Sequence, residues 1–194
     1  SLVSSLIDIP IINGGNGHGE HPTQALLDLY TMYKHFGTNF QTKTILFIGD
    51  LKHSRTIHSL MLLIHKYPKM NIYLLAYPGL EADEQTLQRI SSIHSQSKNS
   101  ITIQFNNINY KLFDVIYITR LQKERLDKEQ QTYCNFMMTN QIANKMKEDA
   151  IIMHPLPRNE EIAPDVDKNH RCHYFKQVKY GILIRMALIS NIFK

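Results

Sequence analysis

Thr44-Ile45-Leu46-Phe47-Ile48-Gly49-Asp50 is a short apolar run that stops abruptly at a glycine and a carboxylate. Asn71-Ile72-Tyr73-Leu74-Leu75-Ala76 repeats the pattern farther on. Between them, Thr56–Lys66 puts Ile57, Leu60, Met61 and Ile64 on one helical face, with Pro68 beyond its end. Strand, helix, strand in that order is a βαβ unit, which demands a parallel sheet. The same alternation continues outward. Downstream lie a polar helix over Asp83–Ser95, a strand over Ile101–Phe105 and a strand over Val115–Thr119 that stops at Arg120. A helix over Thr139–Lys147 and a strand over Ala150–Met153 follow, the latter ending at His154-Pro155-Leu156-Pro157. A last helix over Tyr180–Phe193 is apolar nearly all round. Upstream, an extended run over Asp8–Asn13 feeds a glycine-rich loop, Gly14–Gly19. A helix then starts at Pro22, carries Ala25, Leu26, Leu29, Tyr30 and Tyr33 at helical spacing, and closes at Gly37. The expected class is α/β: a doubly wound, mostly parallel sheet with helices on both faces. Gln122–Met138 is the longest irregular stretch and reads as a lid or binding loop, or as a helix with a weak pattern.

The 194 residues suit one generous domain, or a domain with part of another. A hydrophobic content of 43% excludes wholesale disorder, and runs such as Leu60–Ile64 are too short to span a bilayer. Twenty-two basic against 17 acidic residues leave +5, but the bases are scattered. That argues against nucleic acid as partner and suits small anionic substrates. Cys134 and Cys172 read as ordinary reduced thiols. Ser1-Leu2-Val3-Ser4-Ser5 has no charged n-region, so no signal peptide is read there, and because the chain does not begin with Met, Ser1 is not expected to be the native start. A cytoplasmic protein is expected, with organelle targeting left open.

Ligands of open α/β sheets bind outside the carboxyl ends of the strands. Four polar clusters belong there: Gly17–Gln24, Asp50–Thr56, Thr119–Gln122 and His154–Arg158. Arg55 and Arg120 offer planar forks for carboxylate or phosphate. His21 starts a helix, whose dipole disfavours a second positive charge. A neutral imidazole there can donate to a carbonyl oxygen without becoming charged. Gln24, one turn on, can donate and accept. Singly, each has a structural reading: His21 as a cap, Arg55 paired with Asp50, Arg120 paired with Glu124. Gly15-Asn16-Gly17-His18-Gly19-Glu20 has the wrong spacing for a dinucleotide fingerprint. His170-Arg171-Cys172-His173 is short of ligands for zinc and reads as solvated surface. No cofactor and no metal are expected.

These motifs together resemble the aspartate transcarbamoylases. Gly19-Glu20-His21-Pro22-Thr23-Gln24-Ala25-Leu26-Leu27-Asp28 is similar to the carbamoyl-phosphate motif of transcarbamoylases generally. Gly49-Asp50-Leu51-Lys52 with Arg55-Thr56-Ile57-His58-Ser59, Thr119-Arg120-Leu121-Gln122-Lys123-Glu124-Arg125-Leu126 and His154-Pro155-Leu156-Pro157-Arg158 resemble the aspartate-specific enzymes. Ornithine-specific relatives carry Cys in place of Pro155.

The resemblance implies a transferase of pyrimidine biosynthesis, moving the carbamoyl group of carbamoyl phosphate to L-aspartate. It implies that His21 bonds the carbamoyl oxygen, and that Gln24 bonds its amide together with the main-chain carbonyls of Pro155 and Leu156 at the Pro157 turn. Arg55 would hold the α-carboxylate of aspartate, and Arg120 with Gln122 the β-carboxylate. Glu124 would orient Arg120, Arg125 would brace the closed state, and Lys52 would give structural support. The family's Ser-Thr-Arg-Thr phosphate loop is not found. The resemblance therefore implies the aspartate-binding, Rossmann-like half of a homotrimeric enzyme, inactive alone. Residues 1–20 would cross over from the carbamoyl-phosphate domain, 21–178 form the aspartate domain, and 179–194 pack back on the first half. Competing readings are transfer to ornithine or another amine, and a non-catalytic assembly module.

Overall fold

The computed structural model describes residues 5–17, 19–67, 69–93, 100–102, 108–121 and 136–193. Five strands form one parallel sheet: β1 (Thr44–Gly49), β2 (Asn71–Ala76), β3 (Ser100–Thr102), β4 (Val115–Ile118) and β5 (Ile151–Met153). Their spatial order is β3-β2-β1-β4-β5. The chain winds outward from β1 to one edge, then returns to the other side of β1. The order thus reverses between β1 and β4, the topological switch point of a doubly wound sheet.

The strands are continuous apolar runs because both faces are covered. Ile45, Leu46, Phe47 and Ile48 have no exposed surface, although successive side chains point to opposite faces. Ile45 and Phe47 join one core with α1 (Pro22–Phe36) and α2 (Arg55–Ile64). Leu46 and Ile48 join the other, with Ala143 of a single-turn helix α4 (Asn140–Ala143), Val166 of a 3₁₀ segment (Pro164–Lys168) and Tyr174 at the start of α5 (Tyr174–Ile192). The polar helix α3 (Glu84–Ile93) lies beside α2. Burying each large apolar side chain is worth about 1.5–3 kcal/mol before chain entropy.

Among the described residues, two elements differ from the sequence reading by more than two residues at a boundary. The helix expected over Thr139–Lys147 is one turn, capped by the Thr139 hydroxyl, and then passes into turns. The last helix starts at Tyr174 rather than Tyr180. Its buried stripe is Tyr174, Gln177 and Gly181, which an apolar pattern does not reveal. Gly181 lets α5 cross α1 closely: a Cβ there would sit 3.3 Å from Leu27 and 2.7 Å from Arg185. The apolar residues read as needing cover, among them Ile182, Leu183, Met186 and Ile189, are exposed.

The stretch His170–His173 is not simply solvated surface. Arg171 and His173 are buried, with Arg171 Nε donating to Lys147 O at 2.8 Å. Burial pushes His173 down to about 4, helped by Lys176. Cys134 and the irregular stretch over 122–135 lie outside the described residues.

Candidate active site

A cavity of about 480 Å³ opens at the carboxyl ends of β1, β4 and β5. It is lined by Gly17, His21 and Gln24 before and within α1, and by His53, Ser54, Arg55 and Thr56 after β1. Thr119 and Arg120 after β4, and His154, Pro155, Leu156 and Pro157 after β5, complete it. The four clusters read from the sequence therefore share one hollow. Gly49, with φ of 129°, permits their approach: a Cβ there would lie 2.7 Å from Thr119 Oγ1 and 2.8 Å from its carbonyl oxygen.

His21 occupies the position before Pro22, yet its side chain does not cap α1. Its backbone N–H donates to Ser59 Oγ at 2.8 Å, and the Ser59 hydroxyl in turn donates to Glu20. This ties the α1 entrance to α2. The Thr23 hydroxyl stands 3.5 Å from Nδ1, leaving Nε2 without a partner among the described residues. Burial is the largest cause holding this imidazole below its ordinary pKa, followed by the charges of Arg55 and Arg185. The sequence pointed to the helix dipole; the structure adds two guanidiniums.

Arg55 does not pair with Asp50. Its Nη1 donates to Gly17 O at 3.1 Å, while Asp50 accepts the backbone N–H and the ring nitrogen of His53. Its fork also packs under Gly15, where a Cβ would come within 3.3 Å of both Arg55 and His21. Arg120 is half-buried beside Thr119. Thr119 Oγ1 is buried without a hydrogen-bond partner among the described residues. Lys52 points its side chain to solvent and anchors the loop by donating its backbone N–H to Leu80 O. Gln122, Glu124 and Arg125 lie outside the described residues.

The turn after β5 is built by His154. Its Nδ1 accepts the Leu156 N–H at 2.8 Å, so the ring proton sits on Nε2, which donates to Glu161 at 2.8 Å. Leu156 has a positive φ of 51°, and Leu156–Pro157 is cis. The carbonyls of Pro155 and Leu156 accept no hydrogen bond from the described residues. Arg158 does not face the cavity's chemistry: it forks onto Asp167 and donates to Tyr174.

Beneath the hollow lies a group the sequence reading did not single out. Asp28 is fully buried and accepts from Gln24 Nε2 (2.9 Å), Gln177 Nε2 (2.6 Å) and the Tyr117 hydroxyl (2.8 Å). Burial pushes its carboxyl up to about 7 against those hydrogen bonds. The available signal was a carboxylate four residues after Gln24, on the core face of an amphipathic helix.

Residues 41–192 match the aspartate/ornithine carbamoyltransferase Asp/Orn-binding domain, and residues 2–34 match the carbamoyl-P-binding domain of the same enzymes. The chain belongs to the aspartate/ornithine carbamoyltransferase family. A carbamoyltransferase relative, the aspartate carbamoyltransferase catalytic subunit of Sulfolobus acidocaldarius, is 37% identical over 99% of this chain and 63% of its own length. Aspartate transcarbamoylase from Trypanosoma cruzi, in its crystal structure with phosphate, superposes with a TM-score of 0.87 at 36% identity, covering 97% of this chain and 62% of that one. The same enzyme with carbamoyl aspartate and phosphate gives 0.85 at 37% identity, covering 93% and 58%. The chain thus spans under two thirds of the length of these carbamoyltransferases. Among the described residues, no group of three or more His, Cys, Asp or Glu side chains is arranged to hold a metal, and no helix is long and apolar enough to cross a membrane.

Proposed function

We propose that this chain supplies the aspartate-binding part of an aspartate carbamoyltransferase, and that its hollow holds L-aspartate against carbamoyl phosphate. The observation that carries this reading is the convergence of Arg55, Arg120, His21, Gln24 and the Pro155–Pro157 turn on one cavity. Two guanidinium forks suit a dicarboxylate better than a monocarboxylate amino acid with a cationic side chain. Arg55 holds the α-carboxylate and Arg120 the β-carboxylate, with Gln122 beside it, Glu124 orienting Arg120 and Arg125 bracing the closed state.

The aspartate amine attacks the carbamoyl carbon. The new C–N bond forms as the C–O bond to phosphate breaks, and the amine proton leaves with the phosphate. Neutral His21 donates to the carbamoyl oxygen as negative charge grows on it. The carbonyls of Pro155 and Leu156, with Gln24 Oε1, accept from the carbamoyl –NH2. Nothing in the step requires a covalent enzyme intermediate; positioning of two anions supplies most of the acceleration. The phosphate falls to the carbamoyl-P-binding domain, to part of which residues 2–34 are similar. A homotrimer in the cytoplasm is the assembly and compartment this reading carries.

The full-length gene product, given carbamoyl phosphate and an amine, tests it. Carbamoyl aspartate formed with L-aspartate, and no product with L-ornithine, is the expected result. Turnover with ornithine alone, or binding of neither substrate, would overturn it.

A further inference from the structure

We propose that Asp28 is a positioning residue that turns the Gln24 carboxamide oxygen toward the bound acyl group, and so selects an –NH2-bearing over a methyl-bearing acyl phosphate. The inference rests on the carbamoyl-transfer reading above and adds to it the origin of the amide selectivity.

A carboxamide alone cannot choose between donating and accepting, because its two ends have nearly the same shape. Asp28 removes that freedom. Its Oδ1 accepts from Gln24 Nε2 at 2.9 Å, and a carboxylate oxygen has no proton to offer in return. The Gln24 Oε1 is then the polar atom left for the cavity, where it meets –NH2 and gains nothing from –CH3. The same Oδ1 accepts from Gln177 Nε2 at 2.6 Å. That fixes Gln177 Oε1 as the acceptor for the His154 N–H at 3.0 Å, at the start of the turn whose residues also line the hollow. One atom therefore sets the polarity of both flanks of the site. Asp28 Oδ2 faces only the Tyr117 hydroxyl at 2.8 Å. A proton on Oδ2 leaves Oδ1 an acceptor, so the arrangement survives titration.

No cation pairs with Asp28 among the described residues. A buried carboxyl without one is costly, and a purely structural joint between α1, β4 and α5 would be made more cheaply by apolar groups. Asparagine at this position keeps an Oδ1 for both glutamines and puts a donor toward the Tyr117 oxygen. Leucine keeps the shape and removes the acceptor.

The test compares binding of carbamoyl phosphate and acetyl phosphate, which differ by –NH2 against –CH3, in the full-length gene product. Wild type prefers carbamoyl phosphate, and Asp28→Asn keeps that preference within about threefold. Asp28→Leu lowers it about tenfold or more, through weaker carbamoyl phosphate binding with acetyl phosphate unmoved. Equal loss of both ligands, or an intact preference in Asp28→Leu, overturns the proposal alone. A wild type that does not distinguish the two ligands overturns the carbamoyl-transfer reading and the proposal with it. Should Asp28→Leu not fold, hydrogen exchange of the wild-type Gln24 carboxamide decides: strong protection supports the proposal, and exchange at the rate of a free amide overturns it.

Discussion

The backbone N–H of Leu156 donates to Nδ1 of His154 at 2.8 Å, two residues back along the chain. That bond fixes the imidazole tautomer, aims Nε2–H at Glu161, and holds Leu156 at a positive φ. Glu161 also accepts the Asn159 N–H, closing the turn from its far side. His154→Ala takes one of its donors from the buried Glu161 carboxylate and leaves the Leu156 N–H without its acceptor, at a cost of about 2–3 kcal/mol. The expected outcome in denaturant unfolding is that loss, with carbamoyl phosphate affinity falling more than aspartate affinity. Equal loss of both would remove His154 from the carbamoyl side.

Asp28 makes stability depend on pH in an unusual direction. Its folded pKa, pushed up to about 7 by burial, lies above the ordinary carboxylate value. Between the two values the folded state binds more protons than the unfolded state, so stability falls as pH rises. The contribution is full below about pH 4 and lost as pH passes 7, at about 1.4 kcal/mol per unit of separation as an upper bound. Asp28→Asn, measured beside wild type at pH 5, 6, 7 and 8, should grow relatively more stable with each step and level off above 7. Parallel curves would contradict this.

In the proposed assignment Arg55 and Arg120 hold aspartate by charge-assisted forks, so each truncation should cost on the order of several kcal/mol of aspartate binding. Arg120→Ala is expected to raise the aspartate KM sharply, and Arg120→Lys to recover little, because an ammonium cannot reproduce the fork. Arg55→Ala should abolish the rise in Tm that aspartate gives wild type. Unchanged aspartate kinetics in Arg120→Ala would defeat that assignment.

Gly49 and Thr119 set the closeness of the two central strands at the site. Gly49→Ala combines a φ of 129° with a Cβ 2.7 Å from Thr119 Oγ1, and should destabilise by about 2–4 kcal/mol. Thr119→Val removes the unpartnered buried hydroxyl. Its stability should be unchanged or higher, while aspartate KM rises severalfold if that hydroxyl meets the ligand. Steady-state kinetics beside thermal melts separate the two effects.

Much of this architecture was legible because parallel strands buried on both faces are continuous apolar runs. Ile45–Ile48 and Val115–Ile118 announce themselves, and the polar residues that follow each strand had to share a rim. Pro22 and Gly37 marked α1 to the residue. What escaped was burial carried by polar or small groups. Gln177 and Gly181 make the buried stripe of α5, so the helix seemed to begin only at its apolar half. Asp28, Tyr117 and Gln177 are distant in the chain, and each alone resembles an ordinary polar position. Only the crossing of α1, β4 and α5 reveals that one carboxyl joins them. His173 and Arg171 were misread for the same reason, since their burial comes from neighbours contributed by α1 and the segment before β5.

The central claim, that two guanidiniums hold one dicarboxylate in the hollow beside His21, is tested most directly by a crystal structure of the full-length gene product with L-aspartate and phosphate. The account predicts one aspartate whose α-carboxylate lies on Arg55 and whose β-carboxylate lies on Arg120, with its amine turned toward His21 and Gln24. Aspartate bound elsewhere, or with both carboxylates away from these arginines, would contradict it.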